Sequence, residues 1–245
     1  MHVDKEAPPA QQKPDFDSLL ADLFGLNVRG LKTLYDLFRR PKAVFESARV
    51  FDWRGKYTPT LRLAFSILTV FSLLSFFWAA EDGVLYQSML ARFSESFAND
   101  PNAPPLNEMV NAMFAAYNFV YPFAYMLVHS LVGFMLFIWG KGTSWVARIR
   151  LYFGVISVGI ALAVASVAVT PFVSLDYFWL YTLVLFVINI LAYAVTFARG
   201  MQGRLTLTSM IIRAPLIALV VTLADIVVAM IAGTVASFWA ETQLQ

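Results

Sequence analysis

The 245 residues contain no cysteine, which excludes disulfides, thiolate-held metals and lipidated cysteines and leaves the redox compartment unreadable. Histidine occurs only as His2 and His129, so a histidine-based metal site is not expected. Charged side chains make up 14% of the chain, against about a quarter in soluble domains. No GxxxxGK[ST] loop, GxSxG elbow or HExxH helix occurs, and with no nucleophile or metal framework the expectation is a non-enzymatic protein without a cofactor. Strand-like alternation is also missing, which argues for helices over a barrel.

What the chain has is apolar length. Its hydrophobic fraction is 59%, gathered into stretches near 61–80, 112–139, 151–173, 177–198 and 214–239. Each is long enough to cross a hydrocarbon core of about 30 Å as a helix. The fold class expected is an all-α integral membrane protein, a bundle of five transmembrane helices preceded by N-terminal amphipathic interfacial helices. Residues 1–17, MHVDKEAPPAQQKPDFD, are polar and proline-rich without the apolar core of a signal peptide, and read as a disordered cytoplasmic tail. Residues 18–58 form an amphipathic juxtamembrane segment and 59–245 the membrane domain.

Charge distribution orients this plan. Every Lys and Arg except Arg92 lies before or at the start of the first stretch, between the second and third (Lys141, Arg148, Arg150), or between the fourth and fifth (Arg199, Arg204, Arg213). The opposite loops carry Glu81, Asp82, Glu95, Asp100, Glu108, Asp176 and Glu241. The positive-inside rule then puts the N-terminus in the cytoplasm and the C-terminus outside, in a bacterial inner membrane. Basic residues that flank membrane helices meet anionic lipid first, so nucleic acid is not an expected partner.

In SLLADLFGLNVRGLKTLYDLFRRP, Val28, Leu31, Leu34, Tyr35 and Phe38 share one helical face. KAVFESARVF repeats the pattern with Val44, Phe45, Ala48 and Phe51. Two compatible readings follow. The helices lie apolar side down on the cytoplasmic leaflet, with Arg29, Lys32, Arg39, Arg40 and Lys42 at the lipid phosphates, or they pack beneath the bundle. Trp53 and Tyr57 suit the headgroup level, Pro59 the first helical turn, and Arg62 snorkels back toward the cytoplasm. In the outer loop, Leu85, Met89, Phe93 and Phe97 are spaced for a short amphipathic helix that NDPNAPP ends.

The spans hold polar stripes. Asn111, Asn118, Tyr121, Tyr125 and His129 recur along one face of the second, and Thr182, Asn189, Tyr193 and Thr196 along one face of the fourth. The third offers small residues at Gly154, Ser157, Ala161, Ala165 and Ala168, and the fifth at Ala218, Thr222, Ala229, Ala232 and Ala236, as close helix packing in lipid requires. Asp225 interrupts the last of these faces. A carboxylate at that depth costs roughly 2.5–3.5 kcal/mol on insertion scales unless it is paired or protonated. His129, Asn189 and Asp225 are each expected near the middle of their span, so Asp225, His129, Asn189, Asn118, Tyr125 and Tyr193 form a candidate intramembrane cluster. It reads either as a hydrogen-bonded group that sets helix register or as a proton- or ion-coupled site.

TLYDLFRRPKAVFESARVFDWRGKYTPTLRLAF, residues 33–65, resembles the segment leading into the first span of an uncharacterised family of bacterial multi-pass membrane proteins. The pattern is carried by Asp36, Leu37, Arg40, Pro41, Tyr57, Pro59, Leu61, Arg62 and Leu63. In plan, five spans with the N-terminus inside, the chain is also similar to bacterial Yip1-like proteins. That resemblance implies a non-enzymatic helical protein, and the leading expectation is one that acts through contacts with lipid, another membrane protein or a second copy of itself, such as an accessory subunit of a membrane complex. The alternative is a small transporter or channel using the His/Asn/Asp cluster.

Overall fold

The computed structural model describes residues 28–50, 52–53, 55–78 (backbone only over 75–78), 80–81, 83–97 and 104–243. The expected tail 1–17, the start of the juxtamembrane segment, Phe51 and most of NDPNAPP lie outside these residues. The described residues form helices α1 (Val28–Arg39), α2 (Pro41–Val50), α3 (Thr60–Trp78), α4 (Val84–Ser96), α5 (Leu106–Met135), α6 (Trp145–Val167), α7 (Phe178–Gly200) and α8 (Leu207–Gln243), and no strand. Four of them, α5 to α8, are long and apolar enough to cross a membrane, and α3 is apolar over Thr60–Leu74.

The helix ends depart from the hydropathy limits for local reasons. α5 stops at Met135 rather than 139. Past that point Gly140 and Gly142, at φ +99° and +77°, reverse the chain. The carbonyls of Ile138 and Trp139 bond Arg213 (2.7 Å) and Arg49 (3.1 Å) instead of a further helical turn. α6 begins at Trp145, before the expected 151, because Ser144 caps it by accepting from the Ala147 amide at 3.3 Å. Its first turns carry Arg148 and Arg150, which hide them from a hydropathy reading. α8 runs 37 residues, about 55 Å at 1.5 Å per residue, so it exceeds the apolar stretch at both ends.

α5, α6, α7 and α8 form a ring in which each packs on the next and α8 returns onto α5, while α3 lies against α5 and α6. From Leu151 to Ile160 every residue of α6 is buried, since α1, α2 and α3 cover what the ring leaves open. α7 is the reverse, with Leu183, Val187 and Leu191 exposed, as a lipid-facing helix must be. Ala232, Ala236 and Ala240 of α8 are fully buried, and the last two let Met109 and Met113 of α5 come close. Ala165 and Ala168 are exposed, so the small-residue face expected on α6 does not pack over its whole length. Outside the ring, α4 buries Tyr86 against Val110 and Phe114.

The two juxtamembrane helices differ. α2 buries Val44, Phe45 and Ala48, and Phe45 lies where Gly154 and Gly200 carry no side chain to exclude it. α1 buries Gly30, Thr33, Asp36 and Leu37 and leaves Val28, Leu31, Tyr35 and Phe38 exposed. Its apolar stripe thus faces away from the bundle. Tyr57, expected to suit the headgroup level, is packed against protein. It is 3% exposed and donates to Asp36 Oδ2 at 2.9 Å, while Arg40 Nε donates to Oδ1 at 2.7 Å. Burial pushes the Asp36 carboxyl up, but the hydrogen bonds from Arg40 and Tyr57 outweigh it and hold the group below its ordinary value. Burial, then the neighbouring carboxylate, pushes the Tyr57 phenol up to about 12. The Thr58 amide donates to Thr33 Oγ1 at 2.8 Å. These contacts fasten α1 to the chain that leads into α3, and they join Asp36, Arg40 and Tyr57 of the resembling segment.

Candidate intramembrane site

Asp225 lies at the middle of α8, and the ring brings two partners to it. Its Oδ1 is 3.1 Å from His129 Nε2 on α5, and its Oδ2 accepts from the Tyr193 hydroxyl of α7 at 3.0 Å. On the other side of the imidazole, Nδ1 is 2.9 Å from the Tyr152 hydroxyl of α6. Tyr125 stacks on the imidazole at 4.0 Å between centroids. Four helices therefore meet in one polar centre.

Two details govern its chemistry. The His129 Nε2 contact is within ion-pair range but outside hydrogen-bond alignment. The imidazole is fully buried, whereas the Asp225 side chain keeps 30% of its surface. That surface opens on a cavity of about 300 Å³. Its walls include Phe71, Tyr121, Tyr125, Phe186 and Tyr193, and its polar groups also include Asn189 and Thr222. Asn189 Nδ2 donates to the Leu185 carbonyl at 2.9 Å, which orients the amide and leaves Oδ1 buried without a partner. Thr222 Oγ1 is likewise buried and unpartnered.

Chain direction places the cavity relative to the imidazole. The lining residues Tyr121 and Tyr125 precede His129 on α5, and Gly159, Ile160 and Ala163 follow Tyr152 on α6. α5 ends, and α6 begins, where Arg49, Arg148 and Arg213 bond the connecting loop. His129 and Tyr152 thus lie on the side of Asp225 nearer this basic end, and the cavity lies on the side away from it. His129 is about 9 Å from the end of α5 at 1.5 Å per residue. Its contact with Asp225 nonetheless sets it beside the middle of α8.

Of the residues singled out from sequence, Asp225, His129, Tyr125 and Tyr193 meet directly, and Asn189 joins them across the cavity. Asn118 is half-buried on α5 and does not line the cavity. Asn111 and Thr182, which belong to the same stripes, are exposed. Arg29, Lys32, Arg39, Arg40 and Lys42 are all exposed on α1, α2 and the residue between them. Tyr152 and Gly159 were missed. Their seven-residue spacing puts them on one face of α6, a signal hidden by the uniform apolarity of that helix. A β-carbon at Gly159 would overlap the Tyr193 ring, so this glycine lets the phenol reach Asp225.

Comparison of the chain with protein-family models, curated proteins and solved structures yields no match.

Proposed function

We propose that this is a non-enzymatic, five-span protein of a bacterial inner membrane that works as a small proton- or ion-coupled transporter through Asp225 and His129. The observation that carries the reading is that Asp225 touches a titratable partner on one side and keeps 30% of its side chain open to a cavity on the other. Intramembrane carboxylates that face a cavity mark substrate or ion pathways, whereas one that only sets helix register needs no opening beside it. α3, 19 residues long, measures about 28 Å, which suits a fifth span across a core of about 30 Å.

The test is proton flux in liposomes reconstituted with the wild type and with Asp225→Asn. Flux that needs the carboxylate supports the reading; equal flux, or none from either protein, removes it.

A second reading keeps the Yip1-like resemblance and an accessory role through lipid or protein contacts. It is favoured by the exposed apolar stripe of α1, beside which Arg29, Lys32 and Arg39 are also exposed. Stoichiometric co-purification of a partner from native membranes in mild detergent would favour this reading.

A further inference from the structure

We propose that the cavity binds a small organic ammonium cation, and that this cation and a proton on His129 alternate in neutralising Asp225. The inference rests on the coupled-transport reading and adds to it a ligand class and the origin of the coupling.

The lining selects the sign of the ligand. Among the described residues Asp225 is its only ionisable carboxylate, and no lysine or arginine faces the cavity. Asn189 Oδ1 and Thr222 Oγ1 add two buried oxygens without partners, and Thr222 is 8% exposed. An anion finds no cationic group here, whereas a cation finds a carboxylate and two acceptors. The aromatic walls select the kind of cation. Rings of Phe71, Tyr121, Tyr125 and Phe186 line the space, and ring faces attract a desolvated ammonium. An alkali-metal ion would gain less from these apolar ring faces than an organic ammonium, whose carbon substituents they also cover. The volume of about 300 Å³ is at the small end of ligand pockets, roughly 300–1,000 Å³.

Position supplies the coupling. The groups facing Asp225 are His129, Tyr121 and Tyr125 from α5, Tyr193 from α7, and Tyr152 from α6 behind the imidazole. α3 contributes Leu68 and Phe71 to the lining. Among these groups the imidazole alone changes charge near neutral pH. With His129 protonated, the pair is neutral and the cavity offers no net charge. With His129 neutral, the uncompensated carboxylate faces the cavity and attracts a cation. Binding a cation at low pH therefore releases the imidazole proton, and no covalent step is involved.

The experiment uses the full chain in detergent and benzyltrimethylammonium, whose charge does not vary with pH. Calorimetry is run from pH 5.5 to 8, with benzyl alcohol, sodium chloride and potassium chloride as comparison ligands. Affinity should rise with pH by up to tenfold per unit at the acid end of this range, and each cation bound there should release up to one proton into a weak buffer. The release needs no variant. His129→Gln should bind with little pH dependence, and Asp225→Asn should lose affinity by more than tenfold. Because Asp225→Asn can misfold, Ala163→Leu, which fills the cavity away from the pair, should also abolish binding while proton release on simple acid–base titration stays unchanged. Binding of benzyl alcohol as tight as the cation, affinity that does not vary with pH, or a preference for sodium or potassium would overturn the proposal. Proton flux that depends on Asp225 without any cation binding would overturn it and leave the transport reading standing, whereas loss of both would remove the two together.

Discussion

The Tyr193 ring rests on the backbone of α6 at Gly159, where a β-carbon would overlap it, and from there its hydroxyl reaches Asp225 at 3.0 Å. A hydrogen bond between α7 and α8 thus depends on the absence of a side chain on a third helix. Gly159→Ala should push the phenol away and lower stability by about 1–3 kcal/mol through overpacking, despite the better helix propensity of alanine. Thermal unfolding in detergent checks this. Tyr193→Phe in the Gly159→Ala background should cost little further, since the hydrogen bond is already lost. Additive losses would mean that the glycine does not act through Tyr193.

His129 and Asp225 should be energetically coupled. His129→Leu leaves the Tyr152 hydroxyl and the carboxylate short of a partner, at a cost of about 1–3 kcal/mol. Asp225→Leu strands the imidazole. The double variant strands neither, so it should lose less than the two singles added together, by about 0.5–3 kcal/mol. Thermal unfolding of the four proteins measures the difference. Strict additivity would sink the idea that the 3.1 Å contact carries energy.

That Asp225 turns inward is legible in the sequence, because a lone carboxylate among aliphatic neighbours has nowhere else to go, and His129 ends a polar stripe that must face the same interior. Tyr152 is not legible. It lies in a helix buried on every side from Leu151 to Ile160, where no periodicity separates the face that meets His129 from the others. Helix ends were misplaced for a related reason. Hydropathy records where apolar residues stop, whereas α5 ends at Met135 and Arg49 and Arg213 bond the carbonyls of Trp139 and Ile138 just beyond it. On α1 the apolar stripe is visible in the sequence but its direction is not, since packing and lipid contact use the same pattern. Gly30 and Thr33 on the opposite face are what the bundle selects.

The Asp36, Arg40 and Tyr57 contacts should give a bounded pH window. Asp36 is held below its ordinary value in the folded chain, so its contribution is present above about 3.9 and is lost as pH falls through the lower folded value. Tyr57 is raised to about 12, so its contribution is present below the ordinary value of about 10 and is lost as pH rises from there through the folded value. Thermal unfolding across pH should show Asp36→Asn lacking part of the acid limb and Tyr57→Phe lacking part of the alkaline limb. Wild-type and variant limbs that coincide would show that the contacts do not form.

The exposed stripe of α1 should lie in lipid. Because the chain has no cysteine, Leu31→Cys carries a single nitroxide label without further changes, and Lys32→Cys on the polar face is its control. In nanodiscs with anionic lipid, the Leu31 label should be reached by oxygen more readily than by a water-soluble nickel chelate, with the opposite order at Lys32. Equal accessibility at the two positions would mean that α1 does not lie apolar side down. The order at Leu31 should survive high salt, because apolar burial is not screened as the basic contacts are.

Topology is the last expectation, and it depends on whether α3 crosses the membrane. If α3 and the four longer helices all span, the number of crossings is odd and the termini lie on opposite sides. If α3 only lies in the interface, the C-terminus returns to the side of the N-terminus. The basic residues decide between these plans. Lys141, Arg148 and Arg150 follow α5, Arg199 and Arg204 follow or end α7, and Arg213 lies near the start of α8, so these two connections belong to the cytoplasmic side. Arg49 lies in α2 and bonds Thr143 Oγ1 at 3.2 Å and the Trp139 carbonyl, which brings the segment before α3 to that same side. A reporter fused after Gln245 should therefore be external, and one inserted at Gly142 cytoplasmic. If the Gln245 reporter is cytoplasmic while that at Gly142 is also cytoplasmic, α8 does not cross as a single span. If both are inverted, the positive-inside assignment is wrong and the cavity, which lies on the side of Asp225 away from the basic end, would face the cytoplasm rather than the exterior.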